Sequence, residues 1–186
     1  DGPLRIAFPH RLEPDKDPSA FAEAIAAAAS LGAELEVELL GGHPEKATPA
    51  IAASIARLTP WLRNRHHVEE RGRYLETLGR CDVVVSTARH EFFGVAYAEA
   101  MAAGCSPLAP ARLNYPALLA GYDRTDALTG TFVDPADLAE RLGALARDPE
   151  SLRSTARRRA ARAAAMPFDA DPAALSLDQV IDRLAP

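Results

Sequence analysis

Two stretches of this chain set charged and glycine residues where a phosphorylated ligand would need them. The first, residues 9–18, reads PHRLEPDKDP and holds Arg11 and Lys16 five positions apart, on a segment too rich in proline to be helical. A planar guanidinium fork and an ammonium point charge converging from one loop suit a diphosphate. The plainer reading is an exposed loop whose cations pair with Glu13, Asp15 and Asp17. The second, residues 86–105, reads STARHEFFGVAYAEAMAAGC. With a helix opening near Gly94, the amides of Phe93, Gly94 and Val95 are orphan donors, and Gly94 lets a ligand come close. Glu91 precedes that helix. Glu99 falls on its second turn among Ala96, Ala98, Ala100, Ala102 and Ala103. A carboxylate among small apolar residues is costly unless something bonds it, and vicinal ribose hydroxyls would. The plainer alternatives are a solvated Glu99 and a Glu91 that only complements the helix dipole.

The elements that must position these residues follow from punctuation and hydrophobic runs. Asp17-Pro18, Thr48-Pro49, Asp134-Pro135 and Asp148-Pro149 each pair a capping residue with proline at a first helical position. Gly32 and Gly104 stand where C-terminal caps belong. Helices are predicted over 18–31, 49–64, 73–79, 94–103, 114–120, 135–147, 149–165 and 176–184. Strands are predicted at 4–8, 34–40, 82–86, 106–109 and, weakly, 130–133. The continuous apolar run CDVVVST is typical of a strand buried on both faces of a parallel sheet. Strands alternating with helices give one α/β domain, a doubly wound Rossmann-like parallel sheet spanning 1–186, with its core over 4–147 and C-terminal helices over 149–184. Ligands of such sheets bind at the carboxyl ends of the strands, where both stretches lie.

The 186 residues carry 26 acidic against 21 basic side chains, for a net charge of −5, which argues against binding to nucleic acid by charge alone. Cys81 and Cys105 are too few for a disulfide framework or a cysteine-based zinc site. No apolar run reaches the roughly 18 residues of a membrane span and no leader is visible, so the expectation is a cytoplasmic protein with no membrane partner. The fingerprints GxGxxG, GxxxxGK[ST] and GxSxG are absent, which removes the commonest dinucleotide, P-loop and α/β-hydrolase readings.

Arg11 and Lys16 at their spacing, with Glu91 and Glu99 bracketing FFGVAYA ahead of AMAAGC, resemble the C-terminal nucleotide-sugar domain of retaining GT-B glycosyltransferases of family four. The phrases PHRLEPDKDPSAF, CDVVVSTARHEFFGVAYAEAMAAGCSPLAP and LNYPALL resemble the tRNA-queuosine α-mannosyltransferase family in particular. The resemblance covers roughly residues 4–145. It implies that Arg11 and Lys16 hold the donor diphosphate and that Glu91 bonds the sugar hydroxyls. It implies further that the amides of Phe93, Gly94 and Val95 face sugar and phosphate, that Glu99 binds the ribose, and that Gly41 and Gly42 line the nucleotide cleft. Transfer of mannose from GDP-mannose to queuosine in tRNA would then proceed on the front face, with no cofactor or metal required. Another nucleotide-sugar donor with a glycan or small-molecule acceptor is the alternative, and a non-catalytic nucleotide-binding module is the third reading. The chain departs from the family at Arg65-His66-His67-Val68, where a glycine is usual. It also opens directly on one strand, as an isolated C-terminal half would, so the expectation is a domain inactive without its N-terminal acceptor half.

His10 and His90 flank the candidate site, next to Arg11 and Glu91, where a neutral imidazole would hydrogen-bond sugar or phosphate, although lone histidines are more often structural. Tyr115 would stack on a sugar or a base, or pack in the core. His66-His67 reads as a strand-edge pair rather than a metal site. The run Arg153, Arg157, Arg158, Arg159 and Arg162 reads as a solvated helix in preference to a tRNA-contacting face, because no aromatics are interleaved.

Overall fold

The computed structural model describes residues 2–64, 68–122 and 128–168. The predicted helix at 176–184 and the pair His66-His67 lie outside the described residues.

The described strands form one all-parallel sheet in the order β3-β2-β1-β4-β5-β6. They are β1 (Leu4–Phe8), β2 (Leu35–Leu39), β3 (Leu62–Asn64), β4 (Val83–Val85), β5 (Ser106–Pro110) and β6 (Gly130–Phe132). Between them run α1 (Pro18–Ser30), α2 (Pro49–Ala56), α3 (Arg71–Arg80), α4 (Val95–Ala103) and α5 (Tyr115–Leu118), and α6 (Pro135–Leu145), α7 (Glu150–Arg153) and α8 (Thr155–Ala165) follow.

Side chains alternate across the sheet. Leu4, Ile6 and Phe8 of β1 and Val83 and Val85 of β4 pack into one apolar layer with Phe21 and Ile25 of α1 and Leu138 and Leu142 of α6. Ala7 and Val84 face the other way, against Tyr97 and Met101 of α4 and Ala161 and Ala164 of α8. Burial on both faces is why CDVVVST is continuously apolar. Capping follows the predicted punctuation: Asp17, Thr48 and Asp134 accept hydrogen bonds from Ala20, Ile51 and Asp137 amides. Gly104, at φ 105°, closes α4 in the left-handed conformation that a glycine adopts without penalty.

Two predicted helical runs are interrupted. The run 49–64 ends at Ala56, then passes through a 3-10 turn at Thr59–Trp61 into β3. Pro60 disfavours helix at the residue before it, and that frees the chain to join the sheet edge. The run 149–165 breaks at Ser154, whose extended backbone and side-chain bond to the Arg157 amide begin α8 as a new helix.

The break lets Arg153 leave the helical face and clasp Asp82 at the amino edge of the sheet. Its Nε donates to Oδ1 at 2.9 Å and its Nη2 to Oδ2 at 3.0 Å, while Nη2 also reaches the Pro3 carbonyl at 2.9 Å. Arg158 donates to the Gly79 carbonyl and Arg162 to the Ala103 carbonyl. Most of the arginine run therefore fastens α7 and α8 to the sheet and to α3 and α4, which corrects the expectation of a solvated helix.

Candidate active site

Strand order reverses between β1 and β4, because β1 is flanked by β2 on one side and β4 on the other. The crevice beyond such a switch point is where open α/β sheets bind ligands. Here the loops after β1 and β4 are laced together across it. The Asp15 carbonyl accepts the amides of Arg89 at 2.8 Å and His90 at 3.1 Å. The Thr87 hydroxyl lies 2.9 Å from the Lys16 carbonyl and 2.8 Å from that of Asp17, and Arg89 Nε donates to Asp17 Oδ2 at 2.6 Å. Asp17 holds φ 47°, a left-handed conformation that Asp tolerates, and so turns the chain from this lacing into α1.

Lys16 and Glu91 meet at the centre. Lys16 is buried, and its Nζ donates to Glu91 Oε2 at 3.0 Å and to the His90 carbonyl at 2.8 Å, with Asp15 Oδ2 at 3.2 Å. The other carboxylate oxygen, Oε1, accepts the amides of Phe92 at 3.0 Å and Gly94 at 3.1 Å. Burial alone would raise the Glu91 pKa. The hydrogen bond and charge of Lys16, together with the Gly94 amide, outweigh it and hold the carboxyl below its ordinary value. Glu91 thus caps its own helix and binds the lysine at once. The Gly94 amide, expected as an orphan donor, already has a partner in Glu91. Gly94 sits at φ 83°, which re-aims the chain into α4 and would strain any other residue.

His10 lies beneath this pair. It is buried, with its ring edge-on to Phe8 and roughly parallel to Tyr97, and its Nε2 has no hydrogen-bond partner among the described residues. Burial pushes its pKa down to about 4, against the opposing pull of the Glu91 charge. Gly41 and Gly42 support the β1 loop from the end of β2. A Cβ on Gly41 would lie 2.1 Å from the Pro9 carbonyl oxygen, and one on Gly42 would lie 2.3 Å from Leu12 Cγ.

The remaining predicted residues spread outward. Arg11 is exposed and pairs with Glu13 at 3.2 Å, which is the plainer arrangement its loop allowed. It shares the carboxyl edge with Lys16 without converging on it. Glu99 is half-buried and paired with an arginine rather than with Glu91 or Lys16. Its Oε1 receives Arg71 Nη1 at 2.8 Å across a groove of about 890 Å³ between α3, α4 and α8. Burial, with the Glu99 charge and hydrogen bond, pushes the Tyr74 hydroxyl well above its ordinary pKa on the same side. His90 is exposed, with its ring edge-on to Phe92 at 4.8 Å. Phe93 and Val95 are exposed at the start of α4. Tyr115 is fully buried, with its hydroxyl 2.6 Å from Ser86 Oγ and its ring against Tyr97, so it braces the β4 loop from below and presents no face for stacking.

Sequence reasoning reached Tyr115 in the strap after β5 but missed the hydrogen bonds that hold the strap. Arg112 donates to the Thr87 and Ala88 carbonyls, both at 3.1 Å, and Asn114 Nδ2 donates to those of Phe92 at 3.1 Å and Phe93 at 2.7 Å. Leu113 between them holds φ 59°, and that turn lets two adjacent polar side chains grip one loop. A polar residue on each side of Leu113 was the available signal.

Residues 1–164 match the sequence family described as Glycosyl transferases group 1. The chain belongs to that family. This group 1 glycosyltransferase chain is 35% identical over 129 residues to the tRNA-queuosine alpha-mannosyltransferase of Drosophila melanogaster, across 68% of its own length and 34% of that protein. It therefore spans about a third of that relative. Its fold is similar to sucrose-phosphate synthase of Thermosynechococcus elongatus, with TM-score 0.74 and 19% identity over 99% of this chain and 46% of the other. It is also similar to the pneumococcal O-GlcNAc transferase GtfA, solved with UDP and GlcNAc, with TM-score 0.72 and 17% identity over 97% of this chain and 36% of the other. The fold is thus that of the GT-B glycosyltransferases, as expected. No described helix is long and apolar enough to cross a membrane, and no three His, Cys, Asp or Glu side chains among the described residues gather as a metal site would need.

Proposed function

We propose that this chain is the donor-binding domain of a retaining glycosyltransferase that moves mannose from GDP-mannose to queuosine in tRNA. The observation that carries a nucleotide-sugar site is the Lys16–Glu91 pair at the switch point, where a cation for phosphate and a carboxylate for sugar hydroxyls share one crevice. Mannose and the tRNA acceptor are supported by the identity to the Drosophila mannosyltransferase, and guanine comes with the family resemblance of the sequence.

In this reading Lys16 turns from Glu91 to the donor diphosphate and Arg11 swings in from the rim, both by side-chain rotation. Glu91, with Oε1 still held by two amides, offers Oε2 to the sugar. Glu99 takes the ribose and exchanges part of its contact with Arg71. The acceptor hydroxyl oxygen bonds to the anomeric carbon as that carbon's bond to the phosphate oxygen breaks. The departing phosphate takes the hydroxyl proton, and GDP leaves. Charge on the leaving diphosphate is met by Lys16 and Arg11, so the scheme assigns no step to a metal or cofactor. The acceptor platform and the water-excluding cleft come from an N-terminal GT-B half, and the enzyme works in the cytoplasm, where its tRNA is.

Calorimetry with GDP, UDP, ADP and their sugars tests the donor. GDP and GDP-mannose should bind most tightly. A preference for UDP or ADP would replace the donor, and no diphosphate binding at all would end the nucleotide-sugar reading. With the N-terminal half joined, Glu91→Gln should lower transfer more than GDP affinity, and Glu99→Gln should do the reverse.

A further inference from the structure

Phe92 is 86% exposed, more than any other large apolar side chain among the described residues, yet it is not on a loose tip. Its amide donates to Glu91 Oε1 and its carbonyl accepts from Asn114 Nδ2, so its backbone is tied on both sides. The exposed His90 ring stands edge-on to it, at an interplanar angle of 88°. With so little of its surface covered, the ring keeps open area for a planar partner. A water-exposed phenylalanine on a pinned backbone gains nothing for the fold, and it loses little side-chain freedom on contact, since it has only two rotatable angles.

Its place narrows what it meets. Phe92 follows Glu91 directly and precedes the first turn of α4, whereas Glu99 stands on the second turn. The ring is therefore at the sugar end of the site and not at the ribose end. A group approaching the sugar carbon past Glu91 passes this ring. Of the nearby exposed cations, Arg11 and Arg89 are each paired with a carboxylate, Glu13 and Asp17, while Arg112 is bonded only to backbone carbonyls, so this rim offers a π face beside an uncompensated positive charge. Single-stranded or looped RNA is held on such surfaces by stacking of splayed-out bases on aromatic rings.

We infer that Phe92, braced by His90, is the platform on which the planar base of the acceptor nucleotide stacks while its hydroxyl faces the donor sugar at Glu91. This rests on the proposed transfer to a tRNA nucleoside and adds to it a residue that selects an aromatic acceptor. Phe92 is a specificity residue in this account and takes no part in bond making.

The two-domain enzyme with queuosine-bearing tRNA tests it. Phe92→Ala should raise the acceptor KM about tenfold or more, with kcat and GDP affinity little changed. Phe92→Tyr and Phe92→Trp should keep the low KM, while Phe92→Leu, which is apolar but has no ring, should behave like the alanine variant. An acceptor cut down to the hydroxyl-bearing group without its nucleobase has nothing to stack, and its rate should be the same with Phe92→Ala as with the unsubstituted enzyme. An unmoved KM, or full rescue by leucine, overturns the inference and leaves the mannosyltransfer reading intact. Failure of the unsubstituted enzyme to transfer to this tRNA overturns both.

Discussion

Two largely buried ion pairs tie distant segments together, one at each edge of the sheet, and their chemistry differs. At the amino edge Arg153 grips both oxygens of a fully buried Asp82, 71 residues away, and Asp82 Oδ2 also accepts the Arg5 amide. At the carboxyl edge Lys16 reaches a single oxygen of Glu91, 75 residues away. A guanidinium fork on a carboxylate admits one geometry, whereas an ammonium is a compact point charge with three donors that can be shared and reassigned. On the proposed function, the edge that only holds the fold uses the fork, and the edge that receives the donor uses the charge that can change partners.

The contrast is easiest to break at the fork. Arg153→Leu leaves Asp82 buried without its counter-charge and should cost about 3–5 kcal/mol. This would be read as a lower denaturant midpoint, with nucleotide affinity of the folded fraction unchanged. An unmoved midpoint would show that apolar packing alone holds the amino edge. Lys16→Ala should act in the opposite sense. Nucleoside diphosphate affinity should fall about tenfold or more, and stability should drop by less than for Arg153→Leu, since Glu91 keeps two amide donors. Equal losses of stability in the two variants would erase the distinction.

The smallest effect concerns His10, beneath Lys16 and Glu91. Burial lowers its pKa from 6.5 to about 4, so the unfolded chain takes up this proton at higher pH than the folded one. The stability it contributes is present above about 6.5 and is lost as pH falls toward about 4. Melting temperature should therefore decline more steeply over that window in the native chain than in His10→Phe. Parallel profiles would place the acid sensitivity elsewhere.

Most of the fold was legible because its signals are local. Five of the six strands, the proline-led helix starts and the Gly104 cap follow from runs and punctuation within a few residues. β3 was hidden by the Ala/Leu-rich run before it, although Pro60 marked the break. The site was legible as far as Lys16, Glu91 and Gly94 at one edge. What could not be read was partnership across distance: Glu99 with Arg71, and Tyr115 with Ser86. Each depends on which helix the sheet brings alongside. The arginine run shows the limit best, because spacing gave it a shared face while a single serine at 154 redirected its first member to Asp82.

The order in which strands join has a consequence for how the protein comes to be. β1 pairs with β2 after one helix, but its other neighbour, β4, lies more than seventy residues along the chain. Such non-local pairing costs loop-closure entropy before any contact rewards it, and it slows folding. During synthesis the first strand must wait with one edge open until the stretch around Val83 has left the ribosome. The residues that would grip a phosphate and a sugar then come together in the same step that closes that edge, so a chain interrupted before this point has no crevice between them.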